Sequence, residues 1–261
     1  MAFSSNGYNS GYAVPEKPDG RWMGAERKQK RKHMEPVDSL EIFMSSRRPV
    51  KVTILGHSHV THILDLLRRR GFEHLANFGF LPTIADVTVL AEGGLKLKHN
   101  LSEEQRSKLP KKSLKLCDDL AGEIMKDDPE IVYIEMGTND IDSAENSGNK
   151  TGRMIYSLAT DLVSRGVSRV IAGEVLYRVG KAVKGKEYFD YEVSNCNQYL
   201  QVCLGAEQNQ PNMIFWRHKN MWKSRINLYA DDGIHFNDTG DIRLYHSIRG
   251  ALNKYIRELR S

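Results

Sequence analysis

Val50–Gly71 reads VKVTILGHSHVTHILDLLRRRG. Its opening run, Val50–Leu55, is short, apolar and β-branched, which is the composition of a buried strand. Val60–Arg70 reads as a helix, and Gly71 stops it. Between them stands Gly56-His57-Ser58-His59, a strand that passes straight into a helix. Parallel strands need a crossover to reach their neighbours, and a helix is the usual one.

The rest of the chain repeats this alternation. Ala85–Ala91 (ADVTVLA) and Ile131–Met136 (IVYIEM) read as strands two and three. Between them Leu109–Lys126 is expected to be one helix, because Leu114, Cys117, Leu120, Ala121 and Ile124 share a face. Asp127-Asp128-Pro129 ends it. Arg153–Ser164 is the next expected helix, closed by Arg165-Gly166, and Ser168–Leu176 is strand four. Tyr191–Gly205 reads as helix and Met213–Trp216 as strand five. Thr239–Leu259 is a long terminal helix with Asn237 and Asp238 as candidate N-caps. Strands that alternate with helices and are apolar on both faces belong in a parallel sheet covered on both sides. The expected fold is α/β: a three-layer α/β/α domain over residues 49–261. Its flavodoxin-like, five-stranded parallel sheet takes the order 2-1-3-4-5, by analogy with the common doubly wound arrangement.

Residues 1–48 differ. They are rich in Ser, Gly, Asn, Pro and charge and carry no sustained apolar period, so they read as a disordered tail. Leu40, Ile42, Phe43 and Met44 are the part of it that could dock. The chain of 261 residues has a net charge of +5. Part of that surplus is the run Arg27, Lys28, Lys30, Arg31 and Lys32. It reads as a solvated arm, with a nuclear-import signal or a weak nucleic-acid contact as the functional alternatives. With 40% hydrophobic and 27% charged residues, a real core is expected. The longest apolar runs are far too short to cross a bilayer, and no secretory signal is read. Three cysteines, Cys117, Cys196 and Cys203, lack metal-type spacing. Together these point to an intracellular protein, cytoplasmic or nuclear, in a reduced compartment.

Ligands of open α/β sheets sit at the carboxyl ends of the strands. Strand one exits into Gly56-His57-Ser58, strand two into Glu92-Gly93-Gly94, and strand three into Gly137-Thr138-Asn139-Asp140. A late loop carries Asp231-Asp232-Gly233-Ile234-His235. A serine hydroxyl is a poor nucleophile unless a base takes its proton, and the base needs an orienting partner. Ser58 is the candidate nucleophile, His235 the base, and Asp232 its partner. A tetrahedral oxyanion needs donors fixed in advance. The backbone N–H groups of Ser58 and Gly94 and the Asn139 side-chain amide supply three. Asp140 is expected to cap the following turn.

These blocks resemble those of the SGNH hydrolases, also called the GDSL family, over about residues 50–250. The third and fourth blocks, Gly137-Thr138-Asn139-Asp140 and Asp232-Gly233-Ile234-His235, are the closest to the family pattern. The second is a glycine in the expected place, with Gly93 as the alternative to Gly94. The first departs from it: His57 stands where the family usually has Asp. A narrower similarity is to the esterase-like domains of invertebrate proteins and of LINE-type retrotransposon products. The resemblance implies a serine esterase acting on acyl or acetyl esters without metal or organic cofactor. The G-x-S-x-G alternative is excluded, because Val60, not Gly, follows Ser58 by two.

Several residues carry competing readings. Ser58 alone could be a helix N-cap. His57, His59 and His62 suggest a metal site, but the Asp that would complete a His-x-His-x-Asp run is replaced by Thr61. His57 is expected instead to brace the loop. A neutral imidazole offers one donor and one acceptor and titrates near neutrality. The substitution therefore predicts weaker, more pH-dependent activity, or a silent fold kept as a binding module and tethered to nucleic acid. Trp216, Trp222 and Tyr229 are read as core rather than as an acyl pocket.

Overall fold

The structure is a computed structural model, and it describes residues 48–72, 75–98, 101–143, 145–205, 211–221 and 226–261. The basic run Arg27–Lys32, Leu40, Ile42, Phe43, Met44 and Trp222 lie outside the described residues. The described part belongs to one compact unit, Leu40–Ser261. None of its helices is long and apolar enough to cross a membrane.

Five strands form the sheet: β1 Val50–Gly56, β2 Ala85–Ala91, β3 Ile131–Glu135, β4 Arg169–Gly173 and β5 Met213–Trp216. All pairings are parallel, and the order is β2-β1-β3-β4-β5, as expected. The helices are α1 Ser58–Arg69, α2 Glu103–Ser107, α3 Leu120–Met125, α4 Thr138–Ile141, α5 Gly148–Ser164, α6 Lys186–Leu204 and α7 Asp238–Arg260.

Strand side chains alternate between faces, so each strand feeds two cores. Val50, Val52, Ile54, Ile131, Tyr133 and Ile171 pack with Val60 and Ile63 of α1 and with Leu244, Ile248 and Leu252 of α7. Their neighbours Leu55, Val132, Ile134, Val170 and Ala172 pack with Ile124 of α3, Ile155 and Leu162 of α5, and Val193 and Leu200 of α6. Each fully buried Leu or Ile contributes about 1.5–3 kcal/mol, so the two cores hold the three layers together.

The expected helix Leu109–Lys126 is not one helix. A single 3-10 turn covers Leu114–Leu116, Cys117 is extended, and α3 starts only at Leu120. The cause is Glu92 at the exit of β2. Its carboxylate accepts the Ser113 hydroxyl at 2.7 Å and the Leu114 N–H at 2.8 Å, which ties this segment to the sheet edge. Asp119 then restarts the helix by accepting the Gly122 N–H at 2.8 Å.

Helix α5 starts before the expected Arg153, with Ser147 accepting the Lys150 N–H as N-cap. Its first five residues include Gly148 and Gly152 because α6 lies directly against them. A Cβ on Gly148 would sit 1.8 Å from the Glu192 carbonyl oxygen, and one on Gly152 2.8 Å from the Tyr199 ring.

Register decides where the loops meet. Gly56 pairs with Ala91 on one side and with Glu135 on the other. The exits of the three central strands therefore leave the sheet level with one another.

Candidate active site

Strand β1 ends at Gly56, and Ser58 opens α1 two residues later. The N-cap is His57, not Ser58. Its backbone is extended, and its Nδ1 accepts the His59 N–H at 3.5 Å. Nδ1 can accept only when the proton sits on Nε2. Burial, then the positive charge of Arg178, pushes the His57 ring down to about 3. The ring is thus neutral across the whole neutral range. The expectation that His57 titrates near neutrality is overturned, because the side chain is only 1% exposed and faces a cation.

The late loop is a tight hairpin. Ala230 N–H donates to the His235 carbonyl at 2.8 Å, and Asn237 N–H to the Leu228 carbonyl at 2.9 Å. Gly233 turns the chain with φ of 63°, and its carbonyl accepts the N–H groups of Val179 and Gly180. Asp232 Oδ1 accepts the backbone N–H of Ile234 at 2.8 Å and of His235 at 2.9 Å. Its Oδ2 meets His235 Nδ1 at 2.6 Å. Desolvation raises the Asp232 carboxyl, but the hydrogen bonds from His235 and Ile234 outweigh it and hold the group at about 2. Asp232 is therefore ionised, and the proton of the pair belongs on Nδ1. That leaves His235 Nε2 as the free acceptor.

The His235 ring packs beside the N-terminal part of α1. Its centre is 4.5 Å from that of His62 and 6.1 Å from that of His59. His59 is buried between His57 and Phe236, with ring centres 4.9 Å and 4.6 Å away. Burial, and the neighbouring histidines and Arg178, hold it well below the ordinary imidazole range. Among the described residues no group of three or more His, Cys, Asp or Glu is arranged to hold a metal ion. Ser58 Oγ makes no hydrogen bond among the described residues.

Strand β2 exits into a turn closed by Leu95 N–H on the Glu92 carbonyl at 3.0 Å, with Gly94 at φ of 73°. The N–H groups of Ser58, Gly93 and Gly94 donate no hydrogen bond among the described residues. From the β3 exit, Asn139 Nδ2 donates to the Leu95 carbonyl at 3.2 Å. Asp140 does not cap the following turn. Its Oδ1 reaches across to accept the Leu97 N–H at 2.9 Å, so Asn139 and Asp140 clip the β2 exit loop from two sides. Burial pushes the Asp140 carboxyl up to about 7. Trp216 and Tyr229 pack into the core as read: Trp216 Nε1 donates to Ser247 Oγ, and Tyr229 Oη to the Tyr177 carbonyl.

The structure adds one residue that the sequence reading missed. Arg178 follows β4, is 5% exposed, and donates from Nη2 to Asn139 Oδ1 at 2.8 Å. A basic residue just past an apolar strand reads as solvated. The available signal was the β4 exit itself, which lies on the same sheet edge.

No family model and no curated protein matches the chain. Solved structures do. A carbohydrate acetylesterase from Sinorhizobium meliloti aligns with a TM-score of 0.58 at 13% identity, covering 80% of this chain and 100% of its own. A lipase/acylhydrolase from Enterococcus faecalis aligns at 0.54 and 16% identity, covering 79% and 96%. A carbohydrate esterase family 3 protein from Talaromyces cellulolyticus aligns at 0.53 and 15%, covering 80% and 99%. The chain thus has the fold of the SGNH, or GDSL-type, acylhydrolases and esterases.

Proposed function

We propose that this protein is a serine hydrolase of carboxylic esters, with Ser58 as nucleophile, His235 as general base and Asp232 as its orienting partner. The observation that carries the reading is the 2.6 Å contact between ionised Asp232 and His235 Nδ1, in a ring packed against His62 of the helix that Ser58 opens. Ser58 Oγ attacks the acyl carbonyl carbon and its proton passes to His235 Nε2. The carbonyl π electrons move to oxygen. The N–H groups of Ser58 and Gly94, and the second amide hydrogen of Asn139, receive that oxyanion. The tetrahedral species collapses, the C–O bond to the leaving group breaks, and His235 gives its proton to the departing alkoxide. Water then repeats the sequence on the acyl-enzyme. Ser58 Oγ makes no hydrogen bond among the described residues, and the reading has its bond to His235 Nε2 form when substrate is bound. No step draws on a metal or organic cofactor.

Acetylesterases among the structural neighbours make a short acyl ester the first substrate to try. The test is turnover of p-nitrophenyl acetate by wild type and Ser58→Ala, together with fluorophosphonate labelling mapped to Ser58. Ser58-dependent turnover and labelling support the reading. Equal rates for the two proteins and an unlabelled Ser58 overturn it, and favour a non-catalytic binding module on the same fold.

A further inference from the structure

Asn139 is held from behind. Its amide oxygen faces the guanidinium of Arg178, whose Nη2 donates to it at 2.8 Å. Arginine has no acceptor, so the amide cannot be turned the other way: oxygen faces Arg178 and nitrogen faces the Gly94–Leu95 loop. One hydrogen of that nitrogen goes to the Leu95 carbonyl at 3.2 Å, which leaves the other for a ligand. Arg178 is itself fixed. Nη1 meets Asp142 Oδ2 at 2.5 Å, and the second Asp142 oxygen accepts the Val183 N–H at 2.7 Å. The guanidinium also stands 5.4 Å from the centre of the Phe189 ring.

We infer that Arg178 is a positioning residue that fixes Asn139 and strengthens it as an oxyanion donor. The inference rests on the hydrolase reading above. A charge-assisted hydrogen bond to the amide oxygen draws electron density from nitrogen and makes its N–H a stronger donor. The effect matters most where negative charge develops in the transition state and least in the ground state. It therefore belongs in kcat rather than in KM. In the resting protein Asp142 balances the buried cation, which is why the arrangement is tolerated without substrate.

The experiment is a double-mutant cycle of Arg178→Gln with Asn139→Ala, read by p-nitrophenyl acetate kinetics. Losing an oxyanion donor outright costs about 100- to 1,000-fold in kcat, so weakening one is expected to cost about 10- to 100-fold, with KM within about 3-fold. In the Asn139→Ala background the same change is expected to cost under about 3-fold. Arg178→Lys keeps the charge opposite Asp142 and is expected to recover part of kcat. It also carries the test if Arg178→Gln fails to fold, as checked by circular dichroism. Wild-type kcat in the Arg178 variants, or an equal loss with and without Asn139, overturns the inference while Ser58-dependent turnover stands. Turnover that ignores Ser58 sinks the hydrolase reading and this inference with it.

Discussion

His57 caps helix α1 by accepting the backbone N–H of His59 on Nδ1, as a neutral ring buried beside Arg178. The group next to Ser58 is therefore a structural acceptor without a charge to titrate. His57→Asn keeps an acceptor that cannot ionise. The acid limb of its kcat/KM–pH profile is expected to coincide with that of wild type. A limb displaced by half a pH unit or more would show that His57 titrates during turnover. His57→Ala removes the cap and is expected to cost about 1–2 kcal/mol in urea unfolding.

Ser58 does not cap α1, so removing its hydroxyl costs little stability. Ser58→Ala is expected to melt within a few degrees of wild type while losing at least about 1,000-fold in kcat. A variant that loses activity only because it unfolds would contradict this.

Asp232→Asn keeps an oxygen for the two loop N–H groups but turns an N–H toward His235 Nδ1. That forces the proton to Nε2 and removes the free acceptor. A loss of about 1,000- to 10,000-fold in kcat is expected, with the fold intact. Stability also reports on this carboxylate. Its folded-state value near 2 lies below the unfolded value of 3.8, so its contribution is complete above about pH 4 and fades as pH falls toward 2. Melts of Asp232→Asn should converge on those of wild type in that window.

Asp140 works with the opposite sign. Burial raises it to about 7, so between pH 4 and 7 the folded protein holds a proton that the unfolded chain releases. Stability from this group falls as pH rises through that window and levels off above it. Asp241, raised to about 7 by burial and then by Asp238, adds a slope of the same sign. Asp140→Asn is expected to match wild type near pH 4.5 and to exceed it increasingly toward pH 8. Parallel melting curves at pH 4.5, 6 and 8 would refute the assignment.

Gly148 has no room for a side chain against the Glu192 carbonyl. Gly148→Ala must push α5 from α6, and a loss of about 1–3 kcal/mol in urea unfolding is expected. An unchanged midpoint would show that the helix pair gives way freely.

What could be read from residues alone was whatever short stretches encode locally. β-Branched runs such as Val50–Leu55 and Ile131–Ile134 specify strands, and Asn237 specifies the start of α7, where it accepts the N–H groups of Thr239 and Gly240. Asp232 and His235 were legible as a pair because three residues of separation close a single turn. The segment Leu109–Lys126 was misread because its apolar period is helical while Glu92, distant in sequence, takes its polar groups.

Folding settled everything that depends on register and burial. Only the pairing of Gly56 with Ala91 and Glu135 brings the exits level. Only burial turns His57 into a neutral cap and Asp140 into a clip on the β2 loop, since desolvation has no counterpart in an alphabet of residues. Arg178 and Asn139 stand 39 residues apart, and neither their spacing nor their types announce the contact. A hydrogen bond of that kind exists because two strand ends share an edge of one sheet, which is a property of the packed chain.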